Sequence, residues 1–371
     1  MNKKILILYT SIGLGHKSIA ENIGNVLTNG GAEVRLEDIL VVQSGFLVRL
    51  STKVHAFINL KLPFLWSFLY QSKLFIKLTL PYRTKIASRN CQNTKEIIRE
   101  FNPDIIISTQ TSASAIIAYL KETGFYEGLF GIAFSDFHLH EYWLYWQADF
   151  YLVNTEDQKR EMLNLGISQE KIFVCGVTLL KGTTKSSEEI KVQMGILEEE
   201  SVVLVGSGSL GTGISENLIF ELSQIPKTRI LVLCGKNEES WKKLSKKFKD
   251  TNVSIFSYYS HVDELYKITK VFITKPGGLS VSEALYYRIP ILITHMLPGQ
   301  EELNYNYLQS EGLVMPEPLN ISEEVQEEIE TGSFRKVLET NPLLLELFPS
   351  PEVLIRSILK VISSNQSREN S

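Results

Sequence analysis

Short apolar runs alternate with longer polar or amphipathic segments along almost the whole chain. Strands that are apolar throughout and separated by helices are typical of parallel sheets buried on both faces. The runs form two sets of predicted strands: 5–9, 33–36, 105–108, 129–135, 150–153 and 172–174, then 202–206, 230–233, 253–256, 271–274 and 291–294. The pattern therefore predicts an α/β protein of two Rossmann-like domains, whose parallel sheets face each other across a cleft.

With 371 residues, the chain is long enough for two domains. We predict an N-terminal domain over residues 1–180, a linker over the polar stretch 181–200, a C-terminal domain over 201–345, and a C-terminal helix and tail over 346–371. A glycine-rich turn follows the first strand of each half, in "ILILYTSIGLGHKS" and "VVLVGSGSLGTGIS". Ligands are expected at the carboxyl ends of these strands.

Composition and charge narrow the class of protein. Apolar residues make up 44% of the chain, as in an ordinary globular protein. The net charge is -4, so the chain has no excess of basic residues that would indicate a nucleic-acid partner. Cys91, Cys175 and Cys234 stand far apart, which predicts reduced structural thiols. The first residues are predicted to form a strand rather than a signal peptide, and no apolar run is long enough for a membrane span. We expect a cytoplasmic protein, or one on the inner face of the cell membrane.

Residues 45–90 differ from the rest of the chain because no acidic residue occurs between Asp38 and Glu96. Lysines and arginines alternate there with aromatic side chains. Apolar burial and charge attraction act together at an anionic bilayer, which favours a peripheral membrane surface. The alternative is a helical insertion whose aromatic residues are core and whose lysines are solvated.

The stretch "FITKPGGLSVSEAL", residues 272–285, begins as a buried strand and ends as a helix. Ser280 and Glu283 have the spacing of a capping box, which predicts where the helix begins. Gly277 and Gly278 lack a Cβ, so a ligand's phosphates could approach the first helix amides, and Lys275 adds a positive charge. A plain strand–turn–helix junction is an equally compatible interpretation.

A nicotinamide-dependent dehydrogenase is one reading of the twin Rossmann pattern. "GLGHKS" has a Gly-x-Gly turn at residues 13–15, with Ser18 where a dinucleotide fingerprint has its third glycine, and Glu37 or Asp38 would read a ribose. His16 would crowd a pyrophosphate there, and the phosphate-ready stretch lies in the other half of the chain. One ligand site in each half of the chain favours a protein that binds a donor substrate in one domain and an acceptor substrate in the other.

The chain contains, in this order, "GLGH", "SDFHLHEYW", "CGKN", "TKPGGLSVSEAL" and "PGQEELNYNYL". In these motifs it resembles glycosyltransferase family 28 over roughly residues 3–314, and within it the diacylglycerol glucosyltransferases and monogalactosyldiacylglycerol synthases. The resemblance implies a GT-B fold, a UDP-sugar donor in the C-terminal domain and a lipid acceptor at the N-terminal domain.

The resemblance also implies donor-binding roles. Glu283 would bind the ribose hydroxyls, Gln300 and Glu301 would read the hydroxyls of the sugar, and Tyr258 and Tyr259 fall where the family holds uracil. The sequence has no Asp-x-Asp pair, so we expect helix amides and Lys275, with a second cradle at 206–211, to neutralise the diphosphate without a metal. The predicted donor-binding residues are Gly15, Ser209, Gly211, Tyr258, Tyr259, Lys275, Gly277, Gly278, Leu279, Ser280, Glu283, Gln300 and Glu301.

A lipid hydroxyl must lose its proton as it attacks the sugar, and a histidine that titrates near neutrality suits this step. We predict His16, in the first glycine loop, as the catalytic base. Asp136 is the alternative base, or the residue that orients His16. By resemblance, an acceptor-side motif contains His138, His140 and Trp143, and we predict no metal. The histidines predicted to be structural are His55, His261 and His295.

We therefore expect an inverting, metal-independent transfer of a hexose from a UDP-sugar to a lipid hydroxyl of the diacylglycerol type, with no cofactor. The alternative is a UDP-sugar-binding sensor or partner protein that has lost transfer. The chain departs from the family after "VCGV", where "VTLLKGT" lacks the usual Pro and Arg, and residues 45–90 and those beyond 315 match poorly. The resemblance to the family therefore does not specify the acceptor substrate.

Overall fold

The computed structural model describes residues 2–11, 15–42, 68–88, 91–179 and 182–369. These residues group into two compact units, the first made of Met1–Leu180, Pro298–Gln300 and Glu346–Ser371, the second of Lys181–Leu297 and Glu301–Leu345. Residues 45–67 and 89–90 of the predicted basic, aromatic segment lie outside the described residues, as do residues 13–14 of the first glycine turn.

The first unit contains a parallel sheet in the order β2-β1-β3-β4-β5-β6. Its strands are β1 (Lys4–Tyr9), β2 (Glu33–Asp38), β3 (Ile105–Ser108), β4 (Leu129–Ala133), β5 (Phe150–Val153) and β6 (Ile172–Val174). Central strands such as β1 and β3 are buried on both faces, which is why they are apolar without alternation. The six strands expected in this half are all confirmed, with small differences at their ends.

Helices connect these strands. They are α1 (Gly15–Asn29), α2 (Ile39–Val42), α3 (Lys73–Thr79), α4 (Arg83–Ser88), α5 (Gln92–Phe101), α6 (Thr111–Glu122) and α7 (Glu156–Asn164). In α1, Ile19, Ile23 and Leu27 recur at helical spacing and are buried, so this face packs on the sheet. A one-turn 3-10 helix, Glu141–Trp143, lies in the segment between β4 and β5.

The second unit is built around a parallel sheet in the order β11-β10-β7-β8-β9. Its strands are β7 (Ser201–Gly206), β8 (Thr228–Leu233), β9 (Val253–Phe256), β10 (Val271–Thr274) and β11 (Ile291–Ile293). The five strands expected in this half are confirmed. Because β7 and β10 lie at the centre of this order, the segments that follow them are neighbours at one edge of the sheet.

The predicted linker 181–200 is part of the second unit rather than a separate connection. It contains α8 (Ser187–Gln193), which begins with a capping box between Ser186 and Glu189. The other helices after β7 are α9 (Glu216–Ser223), α10 (Glu238–Lys247), α11 (Val262–Ile268), α12 (Gly278–Tyr286), α13 (Gln300–Ser310), α14 (Ile321–Thr331), α15 (Ser333–Thr340), α16 (Leu343–Leu347) and α17 (Glu352–Glu369).

The last helix, α17, returns to the first unit and contacts α1. Leu354, Ile358 and Val361 are buried there, as the amphipathic spacing of "PEVLIRSILKVI" indicates. In the described part of the chain, we find no helix that combines the length and apolarity needed to cross a membrane.

Candidate functional site

The segment between β10 and α12 exposes the beginning of a helix. Gly277 is the N-cap residue, in an extended conformation (φ -78°, ψ 129°), and contributes no side-chain cap. The first intrahelical hydrogen bond runs from the Val281 amide to the Gly277 carbonyl, at 3.1 Å. The amides of Gly278, Leu279 and Ser280 therefore precede the helical ladder and point out of its positive end, which is the arrangement that binds anions.

The predicted capping box at Ser280 and Glu283 is wrong. The helix begins at Gly278, so Ser280 already lies in its first turn. Glu283 faces Tyr266 of α11, whose hydroxyl donates to Glu283 Oε2 at 3.3 Å. The box pattern failed because the N-cap residue is Gly277, which has no side chain, while Glu283 lies in the second helical turn, beyond reach of the Gly277 amide.

Open space lies in front of this helix start. A Cβ built on Gly277 would have no described atom within 4 Å. Beside it, Lys275 Nζ lies 2.6 Å from Glu301 Oε1, with the two side chains only 18% and 14% exposed. The other Glu301 oxygen accepts a hydrogen bond from the Leu297 amide at 2.8 Å. Glu301 thus holds Lys275 in place, and the sugar-reading role stays a prediction for it.

The glycine-rich loop 207–213 after β7 lies beside Lys275. A Cβ on Gly208 (φ 65°) would be 3.2 Å from Lys275 Cε. Gly211 (φ 59°) packs against main chain, since its Cβ would lie 1.8 Å from the Cys234 carbonyl oxygen. The Ser209 carbonyl accepts from the Lys236 amide at 2.9 Å. The structure therefore places the two predicted phosphate-binding segments side by side. At Gly211, glycine is required by the positive φ and by the close main chain, whether or not a phosphate binds there.

Glu283 has an unusual carboxyl group. Burial raises its pKa to about 7, the Tyr266 hydrogen bond opposes this shift, and the charge of Asp263 adds to it. The carboxyl group therefore titrates near neutral pH.

Tyr258 and Tyr259, predicted near uracil, follow β9. Tyr258 is 55% exposed, so its ring has a free surface. The Tyr259 ring lies edge-on to Phe256 at 5.3 Å, and burial raises the pKa of its hydroxyl. Of the two rings, that of Tyr258 has the surface suited to stacking on a base, and the contact of either residue with uracil stays a prediction.

In the first unit, His16 lies in the first turn of α1, immediately after Gly15. Its ring centroid is 5.8 Å from that of Trp143. Burial lowers the pKa of His16, while the nearby Asp136 charge opposes that shift. Nδ1 is buried and has no hydrogen-bond partner among the described residues. The imidazole is thus neutral at pH 7 and able to accept a proton.

Asp136 follows β4 and is held from several sides. Its Oδ2 accepts a hydrogen bond from Gln300 Nε2 at 2.6 Å. Gln300 is part of the short segment Pro298–Gln300, which groups with the first unit. The main-chain carbonyl of Asp136 accepts from Asn154 Nδ2 at 3.0 Å and Gln158 Nε2 at 2.7 Å. Sequence analysis missed Asn154 and Gln158. The available signal was two amide side chains flanking the helix-capping Thr155, directly after a buried strand.

The basic, aromatic segment contributes to this site through Tyr70. Its ring stacks on His140 with centroids 3.9 Å apart, and its carbonyl lies 2.7 Å from His140 Nε2. Its hydroxyl lies 3.2 Å from His138 Nε2. The neutral His140 ring accepts from the Tyr142 amide through Nδ1, at 3.2 Å. The motif predicted on the acceptor side therefore packs directly against residues 68–88.

Arg83 is a second anchor of this segment. Its guanidinium donates to the Tyr142 carbonyl at 2.8 Å and lies 3.6 Å from the centre of the Tyr145 ring. Around these anchors, large apolar side chains remain exposed on the described part of the first unit. They are Phe68 (69%), Leu74 (70%), Leu78 (61%), Tyr82 (59%) and Trp146 (74%).

Two units, each built around a parallel sheet with connecting helices, are the architecture of the GT-B fold. Solved structures support this fold. The MurG protein of Acinetobacter baumannii superposes with a TM-score of 0.59 at 14% identity, over 97% of this chain and 99% of that one. Anabaena HepE, solved in complex with UDP and glucose, gives a TM-score of 0.56 at 14% identity, over 98% and 100%.

Sequence comparisons show similarity to lipid glycosyltransferases. Residues 16–179 match the model of monogalactosyldiacylglycerol (MGDG) synthase, and residues 189–341 match glycosyl transferases group 1. A processive diacylglycerol beta-glucosyltransferase of Bacillus cytotoxicus is 28% identical, over 100% of this chain and 96% of its own length. One from Bacillus cereus is also 28% identical, over 84% and 81%. The chain is similar to these lipid glycosyltransferases over its whole length, resembles glycosyltransferase family 28 in its motifs, and is a hexosyltransferase.

Proposed function

We propose that this enzyme transfers a hexose from a UDP-sugar to the hydroxyl of a diacylglycerol-type lipid, with inversion and without a metal. The observation that supports UDP-sugar as the donor is the open start of α12 beside Lys275. The acceptor half is supported by the names of the relatives, which are diacylglycerol glucosyltransferases and an MGDG synthase model. The similarity to glycosyltransferases in both halves of the chain argues against the dehydrogenase alternative.

Two kinds of group would hold the diphosphate of the donor. The amides of Gly278, Leu279 and Ser280 would bind the diphosphate, and Lys275 would add a charge that Glu301 keeps in position. These donors also stabilise the negative charge that develops on UDP as the bond to the sugar breaks. Since they are fixed before the reaction, no divalent ion is required for this role.

The transfer step needs a base for the lipid hydroxyl. The neutral His16 imidazole would take the hydroxyl proton as the oxygen attacks the anomeric carbon, and UDP leaves from the opposite face. One such displacement inverts the anomeric configuration. Asp136 stabilises the imidazolium that forms, because its charge favours protonation of His16.

The direct test measures sugar transfer from UDP-glucose and from UDP-galactose, with and without diacylglycerol, alongside binding of UDP by calorimetry. We expect lipid-dependent release of UDP from one of the two donors. Binding of UDP without transfer to any lipid would favour the alternative, a UDP-sugar-binding partner protein. Absence of UDP binding would contradict the proposal entirely.

We propose further that the exposed apolar side chains around α3 dock the first unit onto an anionic membrane at the inner face. Leu74 and Leu78 lie one turn apart on α3, with the exposed Lys77 between them. Insertion of leucines beside lysines combines apolar burial with attraction to acidic headgroups. The nearby Trp146 suits the headgroup boundary, where an aromatic ring has both apolar and polar neighbours.

Replacing both Leu74 and Leu78 by serine is expected to weaken binding to phosphatidylglycerol-containing vesicles more than about 10-fold, since each buried leucine contributes about 1.5–3 kcal/mol. Sedimentation with vesicles measures this. The control is Leu345→Ser, which removes a leucine that is equally exposed (72%) but belongs to the second unit. Equal loss in the control, or wild-type binding that is insensitive to salt and to acidic lipid, would contradict the membrane proposal.

Binding of UDP-glucose is expected to depend on pH through Glu283. Its pKa is raised to about 7 in the free enzyme, and ribose hydroxyls would donate to the ionised form. Affinity should therefore rise about 10-fold between pH 6 and pH 8, as the free carboxyl loses its proton. The diphosphate of UDP-glucose does not titrate in this range. In Glu283→Gln, affinity should be weaker at pH 8 and flat with pH; a flat wild-type profile would contradict the assignment.

A further inference from the structure

His295 joins two strand ends that are not neighbours in the sheet. It follows β11, and its Nε2 lies 2.9 Å from Ser207 Oγ and 3.2 Å from the Thr212 carbonyl oxygen, both in the loop after β7. In the order β11-β10-β7, strand β10 separates these two ends. The imidazole therefore spans the carboxyl end of β10, where the chain continues into Lys275.

The ring packs directly on the main chain of this loop. A Cβ on Gly213 (φ 84°) would lie 2.6 Å from both Cδ2 and Nε2 of His295, so a side chain larger than hydrogen would displace the ring. The Ser207 hydroxyl donates to the Thr212 carbonyl and closes the loop on itself. Gly208 in the same loop approaches the Lys275 side chain. The position of the loop and that of Lys275 are thus connected through these contacts.

The imidazole of His295 lies close to the charged side chains of Lys275 and Glu301, which affect its protonation. Burial lowers the pKa of His295; Lys275 lowers it further, while the Thr212 carbonyl and Glu301 oppose the shift. A neutral ring bridges the two loops without adding a second positive charge beside Lys275. Its Nδ1 lies 3.3 Å from Thr294 Oγ1, which gives the ring a partner on the β11 side as well.

We infer that His295 is a positioning residue for the donor: it holds the loop 207–213 beside Lys275 in the conformation that receives the diphosphate. The inference rests on the proposed UDP-sugar site. It assigns a specific task to a histidine that sequence analysis expected to be only structural.

The test compares His295→Leu, His295→Gln and Ser207→Ala with wild type for UDP-glucose Kd, donor KM, acceptor KM, kcat and Tm. In His295→Leu we expect Kd and donor KM to rise about 10-fold, with acceptor KM and kcat little changed. This pattern is expected when the lost interaction stabilised the bound substrate and the transition state equally. His295→Gln keeps an amide that can donate to the loop and should recover most of the affinity. The His295→Leu/Ser207→Ala double variant should lose less than the product of the single losses.

The control is Thr251→Val, which removes a loop hydrogen bond to the Phe248 carbonyl in the same unit, before β9. It should lower Tm without changing donor KM. A His295→Leu enzyme that lowers Tm in the same way and keeps wild-type Kd would overturn the inference while leaving the UDP-sugar site intact. If His295→Leu does not fold, equal affinity of His295→Gln, Ser207→Ala and wild type would overturn it. Failure of wild type itself to bind UDP-glucose would instead contradict the proposed function.

Discussion

Replacing His16 by alanine is expected to lower kcat by about 10²–10⁴-fold, the usual contribution of a positioned general base. The Kd for UDP-glucose should stay within a few-fold of wild type, because the groups proposed to bind the diphosphate, at the start of α12 and at Lys275, belong to the second unit. Initial rates of lipid glycosylation and calorimetric titration measure the two quantities. Unchanged turnover in this variant would remove His16 from the mechanism.

The pH profile separates His16 from Asp136 as the base. Burial lowers the pKa of His16, so the neutral form predominates at pH 7. Wild-type kcat/KM should therefore be flat near pH 7 and fall as pH decreases through the lowered pKa. In Asp136→Asn the charge that raises the His16 pKa is gone, so the acid limb should move to still lower pH. Disappearance of the acid limb in Asp136→Asn would identify Asp136 as the base.

Replacing Gly277 by aspartate is expected to weaken UDP-glucose binding about 100-fold, since each hydrogen bond to a charged group contributes about 1.5–3 kcal/mol. The new carboxylate would occupy the free amides of α12 and repel the diphosphate. The residue has an extended backbone with open space at its Cβ position, so aspartate fits without strain. Stability should be unchanged or slightly higher, because aspartate is a better N-cap than glycine.

Two further substitutions at Gly277 are matched controls. Alanine adds a Cβ without a capping group, and only a small loss of affinity is expected. Asparagine caps the helix without a charge, so its loss should lie between those of alanine and aspartate. Thermal melts and calorimetry on all three distinguish the explanations. Equal Kd for the aspartate and alanine variants would show that the diphosphate does not bind at this helix start.

The strands were predictable because burial on both faces makes each one a short, continuous apolar run, as in β3 and β10. The helix start at Gly278 was predicted too far along the chain, because the capping-box pattern at Ser280 is matched by residues inside the helix. Local pattern reports which segments are strands and helices more reliably than where a helix begins.

The site was only partly predictable. His16 and Asp136 stand out through their positions after strands, whereas the Tyr70–His140 and Arg83–Tyr142 contacts join residues about 60–70 positions apart in the chain. No periodicity in the sequence encodes such pairings, because they depend on tertiary packing. The same applies to the His295–Ser207 contact, which depends on the strand order β11-β10-β7 in the folded sheet.

A crystal structure of the enzyme with UDP, grown in the presence of Mg²⁺, tests most directly whether main-chain amides and a lysine replace a metal at the diphosphate. The account predicts phosphate oxygens within about 2.7–3.1 Å of the amide nitrogens of Gly278, Leu279 or Ser280, with Lys275 in reach. A diphosphate bound elsewhere in the chain, or one attached to the protein through a magnesium ion held by carboxylates, would contradict it.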